Sequence, residues 1–272
     1  PFYNDEMTAN CILERVAETK STNDDLLARW RAGELLDPVA RIAHHQTAGK
    51  GRAGRTWLAK PGDSMSFSLA FPFHRSPAEL SGLSLLVGLA VISGIAHACQ
   101  FDEATLYSLG LRLKWPNDLL LNNAKVGGIL IEGGQAKIGD PTWMIIGIGL
   151  NLHNAQLFEN ALGDQAKQKV GSLDQLIPSA SSLPDTEFIW LKLIESLERT
   201  LSDFDQHGFT TYQNQWERWD AYRDQAVRIS SAHQGPIDGI AKGIDSSGAL
   251  LVIQNHQTLT IHAGDVSLRA QL

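Results

Sequence analysis

The spacing of apolar residues along the chain predicts strands and helices in a mixed order. Met65 to Phe73 has the clearest strand pattern, because apolar side chains recur there at every second position, as in a half-buried strand. Val126 to Glu132 and Met144 to Leu150 are apolar enough to predict buried strands. The segments predicted as strands are residues 10 to 20, Val39 to His45, Met65 to Phe73, Leu111 to Trp115, Asp118 to Leu121, Val126 to Glu132 and Met144 to Leu150.

Helical spacing of apolar residues marks four further segments. The polar run Ser21 to Asp24 is expected to cap the first helix. Ser76 to Glu79 forms a capping box with proline at the first helical position, and it is expected to open the second. The polar segment from His153 to Ser172 predicts a long loop. The predicted helices are Leu26 to Gly33, the apolar helix from Ser76 to near Cys99, Asp185 to His207 and Tyr212 to Tyr222.

The pattern changes after Tyr222, where short strands alternate with turn residues. Asp245 to Gly248 and Asn255-His256 are the clearest turns. About fifty residues of this kind predict a small all-β barrel that follows a mixed α/β domain. The predicted strands are Val227 to Ser230, Ile237 to Ile244, Ala249 to Ile253 and Thr258 to His262. We therefore predict two domains, residues 1–222 and 223–272.

Composition narrows the classes of protein. With 272 residues, 43% hydrophobic and 19% charged, the chain has the composition of a globular protein. Its formal net charge is −7, so clustered cations are expected to serve a small anionic ligand rather than nucleic acid.

Cys11 and Cys99 are too few for a disulfide framework or a zinc site, and we expect both reduced and at least one buried. The apolar stretch Leu83 to Cys99 contains polar residues and predicts a buried helix, not a membrane span. The first residues lack a signal peptide, so we predict a cytoplasmic location.

A glycine-rich loop carries the first candidate chemistry. Gly49 to Gly54 matches the dinucleotide fingerprint, and Gly49 to Thr56 approximates a P-loop, but Lys60 to Gly62 cannot begin the helix that either motif needs. Both readings are excluded. The cations of this loop are Lys50, Arg52 and Arg55. Glycine lets backbone N–H groups approach a phosphate or carboxylate, and arginine adds bidentate hydrogen bonds. The alternative is a flexible surface loop with solvated cations.

A second polar segment, Lys114 to Asp118, contains a rigid Trp-Pro followed by an amide and a carboxylate. Asn117 and Asp118 offer groups for a polar ligand, and Asp118 for a hydrated magnesium ion. A plain Asx-type turn between strands is the alternative. Lys125, before Gly127-Gly128, is a candidate to neutralise charge in a transferring phosphoryl group, or else an exposed hairpin cation.

Together these segments resemble the biotin protein ligases, from Ser21 to the C-terminus. The motifs that carry the resemblance are Ser21-Thr22-Asn23, Gln46 through Trp57, Lys114 through Asp118, Lys125 through Ile129, Gly147 through Asn151 and the closing Val266 to Arg269. The resemblance implies an α+β fold, in which a mixed sheet flanked by helices, as in class II aminoacyl-tRNA synthetases, is followed by a small SH3-like barrel.

The resemblance also implies site residues. Biotin-binding residues would be Ser21, Thr22, Asn23 and Gln46 at the ureido and thiophene end, and Lys50, Gly51, Arg52, Lys125, Gly127 and Gly128 near the carboxylate. ATP- or adenylate-binding residues would be Arg52, Arg55, Trp57, Asn117, Asp118, Lys125 and Asn151. The catalytic residues would be Arg52, Lys125 and Lys50. Many relatives carry arginine where Lys50 stands, and lysine keeps the charge without the fork geometry. Asn154 to Val170 would be either the loop that orders around bound adenylate or an ordinary surface loop.

The implied reaction joins biotin to a lysine of a biotin carboxyl carrier domain, as in acetyl-CoA carboxylase. Its substrates would be biotin and ATP, with Mg²⁺, and its intermediate biotinyl-5′-AMP. A lipoate-type ligase is one alternative, and a biotin-binding module without turnover is another. A bifunctional ligase and repressor needs an N-terminal DNA-binding unit, and none is recognisable before Ser21, so we expect no DNA binding. That class stays an alternative if the sequence is a truncated piece of a longer chain. Members of the family often pair through the edge of the central sheet, so the resemblance leaves both a monomer and a homodimer open for this chain.

Overall fold

The computed structural model describes residues 10–163, 168–178, 181–231, 235–263 and 266–270. The strands are β1 (Ile12–Thr19), β2 (Val39–Gln46), β3 (Gly49–Lys50), β4 (Thr56–Trp57), β5 (Ser64–Phe73), β6 (Leu111–Lys114), β7 (Asp118–Leu121), β8 (Ala124–Gln135), β9 (Thr142–Asn151), β10 (Ala226–Ser231), β11 (Ile237–Ile244), β12 (Leu250–Gln254), β13 (Gln257–Ile261) and β14 (Val266–Ala270). The α-helices are α1 (Thr22–Arg31), α2 (Leu83–Cys99), α3 (Glu103–Ser108), α4 (Ala155–Leu162), α5 (Thr186–His207) and α6 (Gln213–Trp219).

Two sheets organise the described residues, and a two-stranded ribbon of β3 and β4 lies beside them. The large sheet has seven strands in the order β1-β2-β5-β9-β8-β7-β6. Among the described strands of this sheet, β1 and β2 are the only parallel neighbours, and every other pair of neighbouring strands is antiparallel. The second sheet has five antiparallel strands in the order β13-β12-β11-β10-β14. The predicted α+β class, with a mixed sheet and a C-terminal β unit, is confirmed.

Helix α2 is the centre of the main hydrophobic core. It is buried on nearly every side, and it packs against α5 and the large sheet. Gly94 permits the approach of α5, because a Cβ atom there would lie 2.7 Å from the Leu193 side chain. The opposite face of the sheet is covered by α1, whose Leu26 and Leu27 pack with Ala70 of β5. The described helices include none that is both long and apolar enough to cross a bilayer.

Several local predictions are corrected. Strand β5 is buried along most of its length rather than half-buried, because α1 covers one of its faces and the main core covers the other. Helix α1 begins at Thr22, four residues before the predicted start, since Ser21 is its N-cap and the Ser21 Oγ accepts from the Asp24 N–H at 3.3 Å. The predicted loop after His153 contains α4, and α3 was not predicted.

The capping box at Ser76 is present, but it opens a separate 3₁₀ turn. That turn spans Pro77–Leu80, and α2 begins only at Leu83, after Gly82. Gly82, which separates the two helical segments, has a φ of +80°, a left-handed conformation that glycine adopts readily. The last predicted helix is also shorter than expected, since α6 covers Gln213–Trp219. Cys11 and Cys99 are both free, and Cys11 is buried, as predicted.

The two sheets are joined through the Trp-Pro turn and the segment after α6. The Trp115 indole N–H donates to the Gly248 carbonyl at 3.0 Å, and the Ala221 N–H donates to the Leu113 carbonyl at 2.8 Å. Residues of both units belong to one continuous apolar core. The division at residue 222 stays a prediction, because the core does not stop there.

Replacing Trp115 with phenylalanine is expected to lower the free energy of unfolding. The Gly248 carbonyl would lose the indole donor that lies 3.0 Å away, and a buried group left unsatisfied costs about 1–3 kcal/mol. Trp190→Phe is the matched control, since Trp190 is equally buried and its indole nitrogen has no partner in the described part of the chain. Urea unfolding should show a larger decrease in the free energy of unfolding for Trp115→Phe than for Trp190→Phe. Equal decreases would contradict a stabilising role for the Trp115–Gly248 hydrogen bond.

Candidate active site

A single row of residues across the large sheet forms the floor of a cleft. The row, from β5 to β6, consists of Ser66, Gly149, Gly128, Asp118 and Lys114, all of which line the cleft. Each residue is the direct cross-strand partner of the next, and direct partners place their side chains on the same face. The floor is bare at the two glycines. It has a hydroxyl near one end and charged groups at the other, so the cleft is chemically asymmetric.

The neutral end is built where α1 begins. The Thr22 N–H and hydroxyl both donate to the Gln46 Oε1, at 2.9 and 3.2 Å. Thr22 Oγ1 also lies 2.7 Å from the Ser68 Oγ. Ser21, Thr22, Asn23 and Gln46 are all buried and all line the cleft. The residues predicted for this end are therefore brought together, and they are fixed by hydrogen bonds among themselves.

The amide of Asn23 is held from both sides. Its Nδ2 donates to the Glu132 Oε2 at 2.9 Å, and its Oδ1 accepts from the Ser68 hydroxyl at 2.6 Å. Gly147, the cross-strand partner of Ser68, leaves room for this side chain, since a Cβ atom there would lie 2.3 Å from the Asn23 Oδ1. The orientation of the amide is thus determined by its neighbours.

Trp57 lies over the bare part of the floor. A Cβ atom on Gly149 would lie 2.3 Å from the indole ring, and one on Gly128 would lie 3.7 Å from it. The Lys125 ammonium is 5.9 Å from the ring centroid, within range of a cation–π interaction. The two glycines therefore allow the indole to rest on the backbone of the sheet.

The glycine-rich loop crosses the cleft as a closed turn. The Gly51 N–H donates to the Arg55 carbonyl at 2.7 Å, and β4 follows the loop. A strand at this position agrees with the exclusion of the dinucleotide and P-loop motifs, both of which need a helix there. Lys50 forms an exposed ion pair with Asp24 at 2.7 Å, and this hydrogen bond raises the pKa of the Lys50 ammonium. Arg52 donates to the Asn117 Oδ1 at 3.2 Å.

The charged end is centred on Asp118. Its carboxylate accepts from Lys125 at 2.6 Å and from Lys114 at 3.2 Å, one on each oxygen. Burial alone would raise the pKa of Asp118, but the attraction of the two ammonium groups outweighs burial and the pKa is lowered. Burial is also the main reason why the pKa of Lys114 is lowered. One carboxylate thus holds two lysines in place.

This arrangement does not favour the magnesium role predicted for Asp118, because both oxygens already accept from ammonium groups. Within the described ranges, no group of three or more His, Cys, Asp or Glu side chains is placed to hold a metal ion. A magnesium ion bound to the triphosphate of ATP would enter with the substrate and needs no resident site.

Two predicted residues do not line the cleft, and the rest do. Gly127 faces the other side of the sheet, as the cross-strand partner of Leu119 and Leu150. Asn151 is buried, and its amide donates to the Gly171 carbonyl at 3.0 Å. The predicted residues that line the cleft are Ser21, Thr22, Asn23, Gln46, Lys50, Gly51, Arg52, Arg55, Trp57, Asn117, Asp118, Lys125 and Gly128.

Asn151 supports the cleft through the segment after α4. The Lys125 N–H donates to the Lys169 carbonyl at 2.7 Å, and the Gly171 N–H donates to the Lys125 carbonyl at 2.9 Å. This segment therefore pairs with the backbone of Lys125, while Gln168 accepts from Lys114 at 2.8 Å. Residues 164–167 of the predicted adenylate loop lie outside the described residues.

Several cleft residues were missed from the sequence. Ser66 lines the floor, Ser68 and Glu132 hold Asn23, and Leu268 reaches the cleft from the C-terminal sheet. A signal was available for the serines, because Ser66 and Ser68 alternate with apolar residues in the predicted strand Met65 to Phe73, and Ser64 precedes it at the same spacing. Hydroxyls on one face of a buried strand need partners, so they indicate a polar site there.

Comparisons with known proteins agree with this geometry. A family model described as "Biotin/lipoate A/B protein ligase family" matches residues 16–151, and one described as "Biotin protein ligase C terminal domain" matches residues 224–269. The bifunctional ligase/repressor BirA of Escherichia coli is 34% identical over 253 residues, which cover 92% of this chain and 72% of that protein.

Two further matches extend the comparison. The biotin–[acetyl-CoA-carboxylase] ligase of Mycobacterium tuberculosis is 32% identical over 256 residues, covering 93% of this chain and 88% of that protein. The solved structure of the biotin protein ligase from Aquifex aeolicus in complex with biotin and ATP superposes with a TM-score of 0.75. That match covers 96% of this chain and 99% of the other at 24% identity, and it shows a shared fold.

The fold and the cleft define a ligase of the biotin/lipoate class. With a matching C-terminal model and relatives above 30% identity over most of its length, the chain belongs to the biotin protein ligase family, whose members are enzymes.

Replacing Gly149 with alanine is expected to displace Trp57 and lower the free energy of unfolding by about 1–3 kcal/mol, as for other overpacked sites. The added methyl would lie 2.3 Å from the indole ring. Gly134→Ala in the same sheet is the matched control, because its methyl would lie 3.5 Å from Trp30, in ordinary contact. Urea unfolding and a crystal structure of each variant would test this, and an unmoved Trp57 in Gly149→Ala would contradict it.

Proposed function

We propose that this protein activates biotin with ATP to biotinyl-5′-AMP and then transfers biotin to a lysine of a carrier domain. The observation that supports it is the asymmetry of the cleft, which has a neutral hydrogen-bonding end, a bare glycine floor under Trp57 and a cationic end. An elongated acid with a polar ring system at one end and a carboxylate at the other has the same asymmetry.

The neutral end suits the ureido and thiophene rings of biotin. Ser21, Thr22 and Gln46 supply hydroxyl and amide groups in a buried setting, where hydrogen bonds discriminate strongly between ligands. Asn23 adds an amide whose orientation is already set by Glu132. The fixed geometry lowers the entropy that binding would otherwise lose.

The first chemical step joins two anions. The biotin carboxylate oxygen attacks the α-phosphorus of ATP, a P–O bond forms, and pyrophosphate leaves with the electrons of the broken P–O bond. The carboxylate is already ionised near neutral pH, so no general base is needed. The barrier is repulsion between the charges, which fixed cations and N–H groups reduce. We assign this work to Arg52 and Lys125, with Lys50 and the loop N–H groups closing the site.

Lys50 would have to leave Asp24 for this role. The ion pair between them is exposed, and such pairs contribute little to stability, so an incoming carboxylate can compete for the ammonium. Lys50 therefore serves as a cation that becomes available on binding.

The nucleotide is assigned to the part of the cleft near the Trp-Pro turn. Arg55, Trp57 and Asn117 line it, and Asp118 positions Lys114 and Lys125 rather than binding a metal. Asn151, predicted to bind the nucleotide directly, is assigned a supporting role, since it donates to the backbone carbonyls of Gly171 and Lys125, at 3.0 and 3.4 Å.

In the second step a neutral lysine amine of the acceptor attacks the acyl carbon of the adenylate. An amide C–N bond forms, AMP leaves with the electrons of the C–O bond, and the nitrogen loses a proton. Closure of the loop over the adenylate would exclude water from this reactive anhydride. The name of the Mycobacterium tuberculosis relative supports acetyl-CoA carboxylase as the acceptor. A cytoplasmic location and pairing of two copies stay predictions.

Lipoate is the competing acid, since one family model covers both kinds of ligase. The match to the biotin ligase C-terminal model favours biotin. Mass spectrometry of a carrier domain incubated with the protein and MgATP, with biotin or lipoate, distinguishes the two. We expect a mass gain with biotin, and a preference for lipoate would overturn the proposal.

Arg52→Ala and Lys125→Ala are each expected to slow biotin-dependent pyrophosphate release by about 100-fold or more, the usual effect of removing a group that stabilises transition-state charge. Lys192→Ala is the control, because Lys192 pairs with Glu195 on the surface of α5 and does not line the cleft. Thermal unfolding of all three variants separates loss of chemistry from loss of fold. Near-normal pyrophosphate release by both cleft variants would remove the roles assigned to Arg52 and Lys125.

A further inference from the structure

Ser66, in the middle of β5, carries a buried hydroxyl without a hydrogen-bond partner in the described ranges. The residue is 5% exposed, and it lines the cleft. Its two neighbours on the same face are satisfied. Ser64 Oγ donates to the Lys60 carbonyl at 3.0 Å, and Ser68 Oγ donates to the Asn23 Oδ1 at 2.6 Å. Because buried polar groups are nearly always paired, the exception at Ser66 calls for a ligand.

A second unpaired group lies at the same place. The Trp57 Nε1 is buried and has no partner in the part of the chain that the structure describes. A Cβ atom on Gly149, the cross-strand partner of Ser66, would lie 2.6 Å from this nitrogen. Cβ positions of direct partners are about 5 Å apart, so the hydroxyl and the indole N–H face one small region. Both groups can donate, so the region suits an acceptor atom.

The position of Ser66 in the floor indicates which part of a ligand it meets. Asp118, which holds the two lysines, lies three strands away in the same row, or about 14 Å at the usual strand spacing. The Asn23 side chain is also near, because it accepts from Ser68, the next residue after Ser66 on the same face of β5. If the carboxylate lies at the charged end, the opposite end of the acid lies at Ser66.

We propose that Ser66 is a specificity-determining residue, whose hydroxyl donates a hydrogen bond to an acceptor atom in the ring system of biotin. This inference rests on the proposed function and deepens it, since it adds a residue that the sequence motifs did not include. A ligand without an acceptor at that position would leave the Ser66 hydroxyl unpaired in a closed site, so Ser66 selects against it.

Ser66→Ala tests the proposal. The dissociation constant for biotin is expected to rise about three- to tenfold, the effect of losing one net hydrogen bond, while KM for ATP stays the same. The thermal midpoint of the unliganded variant should be unchanged or higher, because an unpaired buried hydroxyl has been removed. Isothermal titration with biotin, steady-state kinetics and thermal unfolding give the three readouts.

Ser196→Ala is the matched control. Ser196 on α5 also carries a buried hydroxyl without a partner among the described residues, but it does not line the cleft. Its substitution should leave biotin binding unchanged, whatever it does to the thermal midpoint. Any effect specific to Ser66 therefore reports on the ligand and not on removal of a buried hydroxyl in general.

The outcomes separate this inference from the proposed function. Failure of the wild-type protein to bind biotin would overturn both. Binding of biotin by the wild type and by Ser66→Ala with equal affinity would overturn this inference alone. A higher KM for ATP with unchanged biotin affinity would also overturn it, since the hydroxyl would then serve the nucleotide.

Discussion

The cleft depends on bare backbone in the middle of the large sheet. Gly147, Gly149 and Gly128 face α1 and the glycine-rich loop, where an ordinary strand would carry β-branched side chains. Asn23 and Trp57 occupy the space that Cβ atoms would fill. Each glycine lowers strand stability by about 0.5–1 kcal/mol, and the packed indole and the bonded amide offset that loss. Without these glycines, neither the neutral end nor the indole cover could form.

The same sheet also fixes the charges. Lys114 and Asp118 are cross-strand partners, and Lys125 reaches the other oxygen of that carboxylate. Two ammonium groups and one carboxylate leave a net positive charge, so the end still attracts an anion although it contains Asp118. Arg52 is tied to Asn117, whose side chain donates to the Ile129 carbonyl at 2.8 Å. In the proposed reaction, cations held in this way would need little reorganisation when charge develops on the α-phosphate.

Local patterns predicted most strands, the long helices and the residues of the charged cleft, because alternation and glycine spacing are properties of short segments. These local patterns failed where contacts between segments far apart in the chain determine the structure. The burial of β5 on both faces comes from α1 on one side and the main core around α2 on the other. Gly127 lies outside the cleft wall because cross-strand register turns it to the other face of the sheet. Asn151 shares the face of Gly149, but its amide is bonded to the carbonyls of Gly171 and Lys125. Ser66 was missed because its role depends on Gly149, far away in the chain.

The C-terminal sheet is part of the site through the Trp-Pro turn. Trp115 is bound to Gly248 of that sheet, while Asn117, two residues on, contacts Arg52 in the cleft. Leu268 lines the cleft. Tyr222 is buried near Asp118, and the pKa of its phenol is raised mainly by burial and also by the charge of the Asp118 carboxylate. Because Trp115 is anchored to the C-terminal sheet, the rigid Trp-Pro turn also restricts the movement of Asn117. The C-terminal sheet therefore supports the position of the cations in the cleft, although it contributes few groups to the cleft itself.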